Sequence, residues 1–231
     1  MKTAFGIIAF IVQIVVSIRN REALRDDTDL PLFVVCGGSL TQVASAYLRE
    51  PRIAERLTVL WIGGGEYPGE FVPAGVTTDE YNFAEDRIAA MEVFNRSELK
   101  LWQIPRSAYR QAIMSRAEIL TRIAPKGQLG GYLADALTAT VLDFERISHL
   151  GGETYLMGDS PLVLLTALQT TFEADTGSSR HRQVACPNLN PDGSYQPNSN
   201  GRTIRVYESI DTRLMFEDFF AKLELFAAGR R

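Results

Sequence analysis

The stretch Leu57-Thr58-Val59-Leu60-Trp61-Ile62-Gly63-Gly64-Gly65, with Glu80-Tyr81-Asn82-Phe83-Ala84-Glu85-Asp86-Arg87-Ile88-Ala89-Ala90 soon after it, decides how this chain folds. Six mostly apolar residues ending in glycines form a buried strand that can meet a ligand at its C-terminal end. Glu80 and Asn82 stand two residues apart, so their side chains share one side if the backbone there is extended. A carboxylate accepts hydrogen bonds, and an amide both donates and accepts. That pair suits hydroxyl groups, and it makes this loop the first place to look for a sugar.

Working outward, strands alternate with helices. Leu30–Cys36 is a short apolar strand closed by Gly37-Gly38. Ser39 is the expected cap of a helix over 40–48, which Pro51 ends. Asp86–Asn95 is a helix with Ala89, Ala90, Val93 and Phe94 on its apolar side. A strand follows at 99–104, then helices over 108–123 and 129–144. Tyr155–Met157 leads into Gly158-Asp159-Ser160-Pro161 and a helix from Leu162 to about Gln169. The segment 182–205, rich in Pro, Asn and Gly, is expected to be loop or short hairpin. A strand over 206–210 and a helix over 213–226 close the chain. Strands separated by helices favour a mostly parallel α/β sheet.

Composition bounds the rest. The chain has 231 residues, enough for a sizeable core in one domain. It is 45% hydrophobic and 23% charged, which is globular composition. A net charge of −4 gives no basic face for nucleic acid. Only two cysteines occur, Cys36 and Cys186, which argues against a disulfide framework and for a reducing, cytoplasmic setting. The apolar run 4–17 is too short for a membrane span and lacks a small-x-small cleavage site before Arg19. A buried helix, or helix plus strand, is the expected structure there, with a signal sequence as the alternative. No Gly-x-Gly-x-x-Gly or Gly-Lys-Ser motif supports nucleotide chemistry.

The order strand, Gly37-Gly38-Ser39-Leu40-Thr41, helix, Pro51, strand, Gly63-Gly64-Gly65, Glu80-Tyr81-Asn82 and Asp86-Arg87-Ile88-Ala89-Ala90 resembles the inosine/uridine-preferring nucleoside hydrolases. The match is good over Leu30–Asn95 and continues more loosely to Gly158-Asp159-Ser160-Pro161-Leu162. The resemblance implies an open, mostly parallel α/β sheet with helices on both faces, as a single domain over 1–231. It also implies hydrolysis of the N-glycosidic bond of a ribonucleoside, through a transition state resembling an oxocarbenium ion. In that family a calcium ion holds a water and the ribose diol.

Carried over by motif, Asp159 would be the late catalytic and metal-binding aspartate. Gly37 would give a metal-binding carbonyl, with Cys36 the alternative one residue away. Glu80 and Asn82 would bind ribose hydroxyls. Read without the resemblance, Asp159 is a helix N-cap, Glu80 and Asn82 are solvated loop residues, Gly37 is a turn glycine and Asp86 caps its helix.

The family's Asp-x-Asp-x-x-x-Asp-Asp signature is missing upstream of Leu30. Asp26, Asp27 and Asp29 precede a strand instead of following one and read as a solvated turn. The chain is therefore expected to hold the C-terminal two-thirds of the family pattern. Gly158 stands where many members place a histidine, and Ala74 falls nearest the usual asparagine of the loop. His149 and His181 are expected at the surface, and Arg202, Arg205 and Arg213 are read as ordinary surface pairs, with contact to a phosphate as the other possibility. The turn-rich 188–200 is read as a surface excursion, with a lid over the pocket as the other possibility. Two further classes stay open: a non-catalytic ribose- or nucleoside-binding protein, and an interaction protein with a vestigial pocket. The expected partners are a small nucleoside or ribose and further copies of the chain as a homo-oligomer, with no nucleic acid or membrane.

Overall fold

The structure, a computed structural model, describes residue 24 and residues 32–76, 79–148, 152–168 and 178–229. The apolar run 4–17, Asp26, Asp27, Asp29 and His149 lie outside the described residues. In chain order the elements are β1 (Leu32–Cys36), α1 (Thr41–Arg49), a 3-10 turn (Pro51–Glu55), β2 (Leu57–Ile62), α2 (Tyr81–Glu85), α3 (Arg87–Arg96) and β3 (Lys100–Ile104). Then come α4 (Arg106–Tyr109), β4 (Ile113–Ser115), α5 (Arg116–Glu118), a π-helical turn (Ile119–Ile123), α6 (Gly127–Ser148), β5 (Thr154–Leu156) and α7 (Pro161–Ala167). β6 (His181–Ala185), β7 (Asn188–Leu189), β8 (Tyr195–Gln196), β9 (Thr203–Tyr207) and α8 (Thr212–Ala227) complete the order.

The chain divides into two compact units, one of residues 1–108 and 180–208, the other of 109–179 and 209–231. In the first, five strands among the described residues form one sheet in the order β1-β2-β3-β9-β6. β1, β2, β3 and β9 are parallel, and β6 runs antiparallel at the edge. β2 is buried along its whole length except Thr58, as expected of a strand with neighbours on both sides. Val34, Val59, Trp61, Leu101 and Val206 pack on one face with Val43 and Ala46 of α1 and Ala90, Val93 and Phe94 of α3. Leu60, Ile62, Ile104 and Tyr207, on the opposite face of the same strands, are buried as well.

The second unit has its own core of Met114, Ile119, Ile123, Ala134, Phe220 and Leu223. β4 and β5 pair antiparallel within it, from Ile113 opposite Leu156 to Ser115 opposite Thr154. Among the described residues, no helix is long and apolar enough to cross a membrane.

Four expectations change. The helix expected over 108–123 is broken by β4, and helix restarts after Ser115, the N-cap whose side chain forms a capping box with Glu118. Ser39 does not cap α1; Leu40 holds the cap position without a side-chain bond. The segment 182–205 holds a hairpin, β7–β8, but also most of the sheet's edge strand β6, which His181 opens. Its ring lies 5.5 Å from that of Tyr207. Arg202 is half-buried and makes no ordinary surface pair in these bonds: it donates to the carbonyls of Val93, Phe94 and Leu99 and closes the C-terminal end of α3.

Candidate functional site

At the C-terminal edge of β2 the chain leaves the sheet through its glycines. The Gly63 N–H donates to the Ile104 carbonyl at 3.1 Å, and the Gly64 carbonyl accepts from the Arg106 N–H at 2.9 Å. Gly64 has φ +84°, and a Cβ there would fall on the Tyr195 hydroxyl and the Gln103 amide. Only glycine fits that space and that backbone.

Glu80 closes the corner. It is 1% exposed, and its backbone is extended at φ −74°, ψ 140° as it enters α2. One carboxylate oxygen accepts from the Asn82 N–H at 3.2 Å. The other accepts from Phe83 at 3.0 Å and from Gly64 at 2.8 Å. Three backbone donors compensate a carboxylate taken out of water. Asn82 is buried too, and its Nδ2 donates to the Ile62 carbonyl at 2.8 Å.

The two residues therefore meet at one edge, but by a route other than strand alternation. The backbone is helical from Tyr81 onward, so the N-cap geometry brings them together. Neither is a solvated loop residue.

Beside them stands the end of β1. Cys36 pairs with Trp61, and the indole Nε1 donates to the Gly38 carbonyl at 2.9 Å. Gly37 is exposed at this same edge. The Ser39 and Thr41 hydroxyls pair at 3.0 Å, and Thr41 donates to Asp86 Oδ2 at 2.5 Å. Asp86 Oδ1 accepts from the Ala89 N–H at 2.9 Å, so this residue caps α3 as its sequence implies.

A second layer escaped the sequence reading. Gln103 on β3 is fully buried; its Nε2 donates to the Gly63 carbonyl at 2.9 Å and to the Tyr195 hydroxyl at 2.7 Å. Its Oε1 accepts from the Tyr67 hydroxyl at 2.6 Å. The Tyr67 and Tyr195 rings stack 4.1 Å apart at 7°. Burial pushes both phenols above the ordinary tyrosine range. The available signal was a glutamine in an otherwise apolar strand, since a buried polar residue is the informative kind. Next to this layer a cavity of about 250 Å³ is lined by Gly65, Glu66, Tyr67, Arg106, Ser194 and Tyr195. Arg106 clamps the Glu66 carboxylate there with two bonds, at 3.0 and 2.6 Å.

Gly37, Glu80 and Asn82 thus share one edge of the first unit. Asp159 belongs to the second unit, in the turn before α7. It is exposed and is not the helix cap; Ser160 holds that position, and the Asp159 carbonyl accepts from the Leu162 N–H at 3.1 Å. Among the described residues, no three His, Cys, Asp or Glu side chains gather as a metal site. The donors on the described residues fall short of the six to eight oxygens that calcium takes.

The family model described as inosine-uridine preferring nucleoside hydrolase matches residues 7–217. The likeness therefore reaches well beyond Leu30–Asn95 on both sides. No protein of curated function matches the chain in sequence. Among solved structures, a purine-preferring ribonucleoside hydrolase from Gardnerella vaginalis is 19% identical with a TM-score of 0.71, over 92% of this chain and 66% of that one. A plant nucleoside hydrolase is 14% identical with a TM-score of 0.67, over 92% and 66%. An inosine-uridine preferring nucleoside hydrolase from Bacillus anthracis is 14% identical with a TM-score of 0.56, over 90% and 64%. These likenesses show a shared α/β fold, and the chain spans about two thirds of the length of each structure.

Proposed function

Because the chain belongs to the inosine-uridine preferring nucleoside hydrolase family, we propose that it serves hydrolysis of a ribonucleoside to ribose and free base. The observation that carries the proposal is the placing of Glu80 and Asn82 together at the C-terminal edge of β2. Open α/β sheets take their ligands outside that end of their strands. Departure of the base leaves positive charge on the ribose ring. A carboxylate fixed by backbone donors, such as Glu80, favours such charge without having to reorganise.

Asp159 is retained as a proposed catalytic and metal-binding carboxylate and Gly37 as a proposed metal-binding carbonyl, each within its own unit. Calcium is the ion the resemblance implies. The described donors fall short of its shell. In a second reading the corner holds ribose or a nucleoside without turnover, which is favoured by the engagement of both Glu80 carboxylate oxygens with backbone donors. Both cysteines are buried and neither takes part in a disulfide, which supports a reducing compartment such as the cytoplasm. Val35, half exposed on a strand that has a single neighbour among the described residues, supports association of copies.

Release of reducing sugar from inosine and from uridine, measured with calcium and with chelator, tests the first reading. Release in calcium is the expected result. Calorimetric uptake of ribose that ignores calcium, with no sugar released, would establish the second reading. Neither release nor uptake would overturn both.

A further inference from the structure

We propose that Gln103 and Tyr195 are positioning residues of the Gly63–Gly65 corner, which makes the β7–β8 hairpin part of the site. An apolar side chain at position 103 would fill the same space in a strand whose neighbours are Trp102 and Ile104. A glutamine there must have its amide satisfied to be tolerated. It is: each amide hydrogen-bonding atom has a partner, and the partners are the Gly63 carbonyl and the hydroxyls of Tyr195 and Tyr67. A buried network satisfied at every atom fixes orientation as well as packing.

The orientation it fixes is that of Gly64. The Gly64 N–H reaches Glu80 at 2.8 Å, and its carbonyl is held by the Arg106 N–H. The room where a Cβ would stand is filled by the Tyr195 hydroxyl and the Gln103 amide. Removing that hydroxyl leaves Gly64 space to move away from Glu80. Tyr195 itself is held from several sides. Its ring stacks on Tyr67, and the hairpin is pinned by Asn95, whose amide takes the Leu189 N–H at 2.7 Å and returns a bond to its carbonyl at 3.0 Å. Arg87 adds a bond to the Pro191 carbonyl at 3.1 Å. The turn at 188–200 is accordingly a brace for the glycine loop, tied to α3 at two points.

Hydrogen exchange on the whole chain tests this, comparing wild type with Y195F, which keeps the ring stack and loses only the hydroxyl. Exchange at the Gly64 amide is expected to quicken about five- to tenfold, the size of one lost hydrogen bond, with β1 and α1 unchanged. Unchanged exchange at Gly64, or a uniform quickening across the sheet, overturns the proposal. If Y195F does not fold, Y67F is compared in the same way, since it removes one bond to Gln103. A ribose titration gives the functional arm, which rests on the proposed sugar site. Affinity about tenfold weaker in Y195F is the expected result, and equal affinity overturns the proposal. If wild type takes up no ribose, the sugar reading fails, and exchange at Gly64 still decides this one.

Discussion

Glu80 brings a carboxylate to a place that is 1% exposed, and three backbone N–H groups meet it at 2.8 to 3.2 Å. Its Gln variant, E80Q, turns an NH2 group toward donors that need an acceptor. The expected cost is ~2 kcal/mol, read from the urea midpoint, because a buried donor is left unpaired. At Gly64 the limits are steric and conformational at once: φ is +84° and the space beyond is occupied by Tyr195 and Gln103. G64A is therefore expected to destabilise by more than ~1 kcal/mol. A melting curve that matched wild type would show that the loop can shift without cost.

Among the elements, those built from local signals were legible in the sequence. β2 has the bounds its apolar run sets, and α3 starts one residue after Asp86, its capping aspartate. D86A loses both the Ala89 cap and the Thr41 link, and ~1 kcal/mol of stability is expected to go with them. T41V combined with D86A should add little further loss, since the two side chains share a bond. The elements that were misread depend on distant partners. β4 is three residues long and exists through its pairing with Thr154–Leu156. β6 has a mixed polar sequence because an edge strand keeps part of its surface in water. The site shows the same division. Glu80 and Asn82 could be found from their motif, while Tyr195 is 92 residues from the amide it meets, and no local pattern announces it.

At the scale of the whole chain, the phenols of Tyr67 and Tyr195 set a response to alkali. Burial raises both above the ordinary value, so the folded protein favours their neutral form. The stability this gives is complete below pH ~10, where unfolded tyrosine starts to ionise, and is lost as pH rises beyond it. Urea midpoints are expected to fall above pH ~10, and less steeply in Y67F. The division into units has a different consequence, for synthesis. Each unit is made of two separated stretches, 1–108 with 180–208 and 109–179 with 209–231. On the ribosome, β3 waits for β9 through about a hundred residues of further translation, and the second unit waits for α8 after that. During that interval β3 has an unfilled side, the kind of strand edge that chaperones cover. Slower translation between Tyr109 and Thr203 should therefore lower the soluble yield, whereas the same delay placed after Ala227 should not.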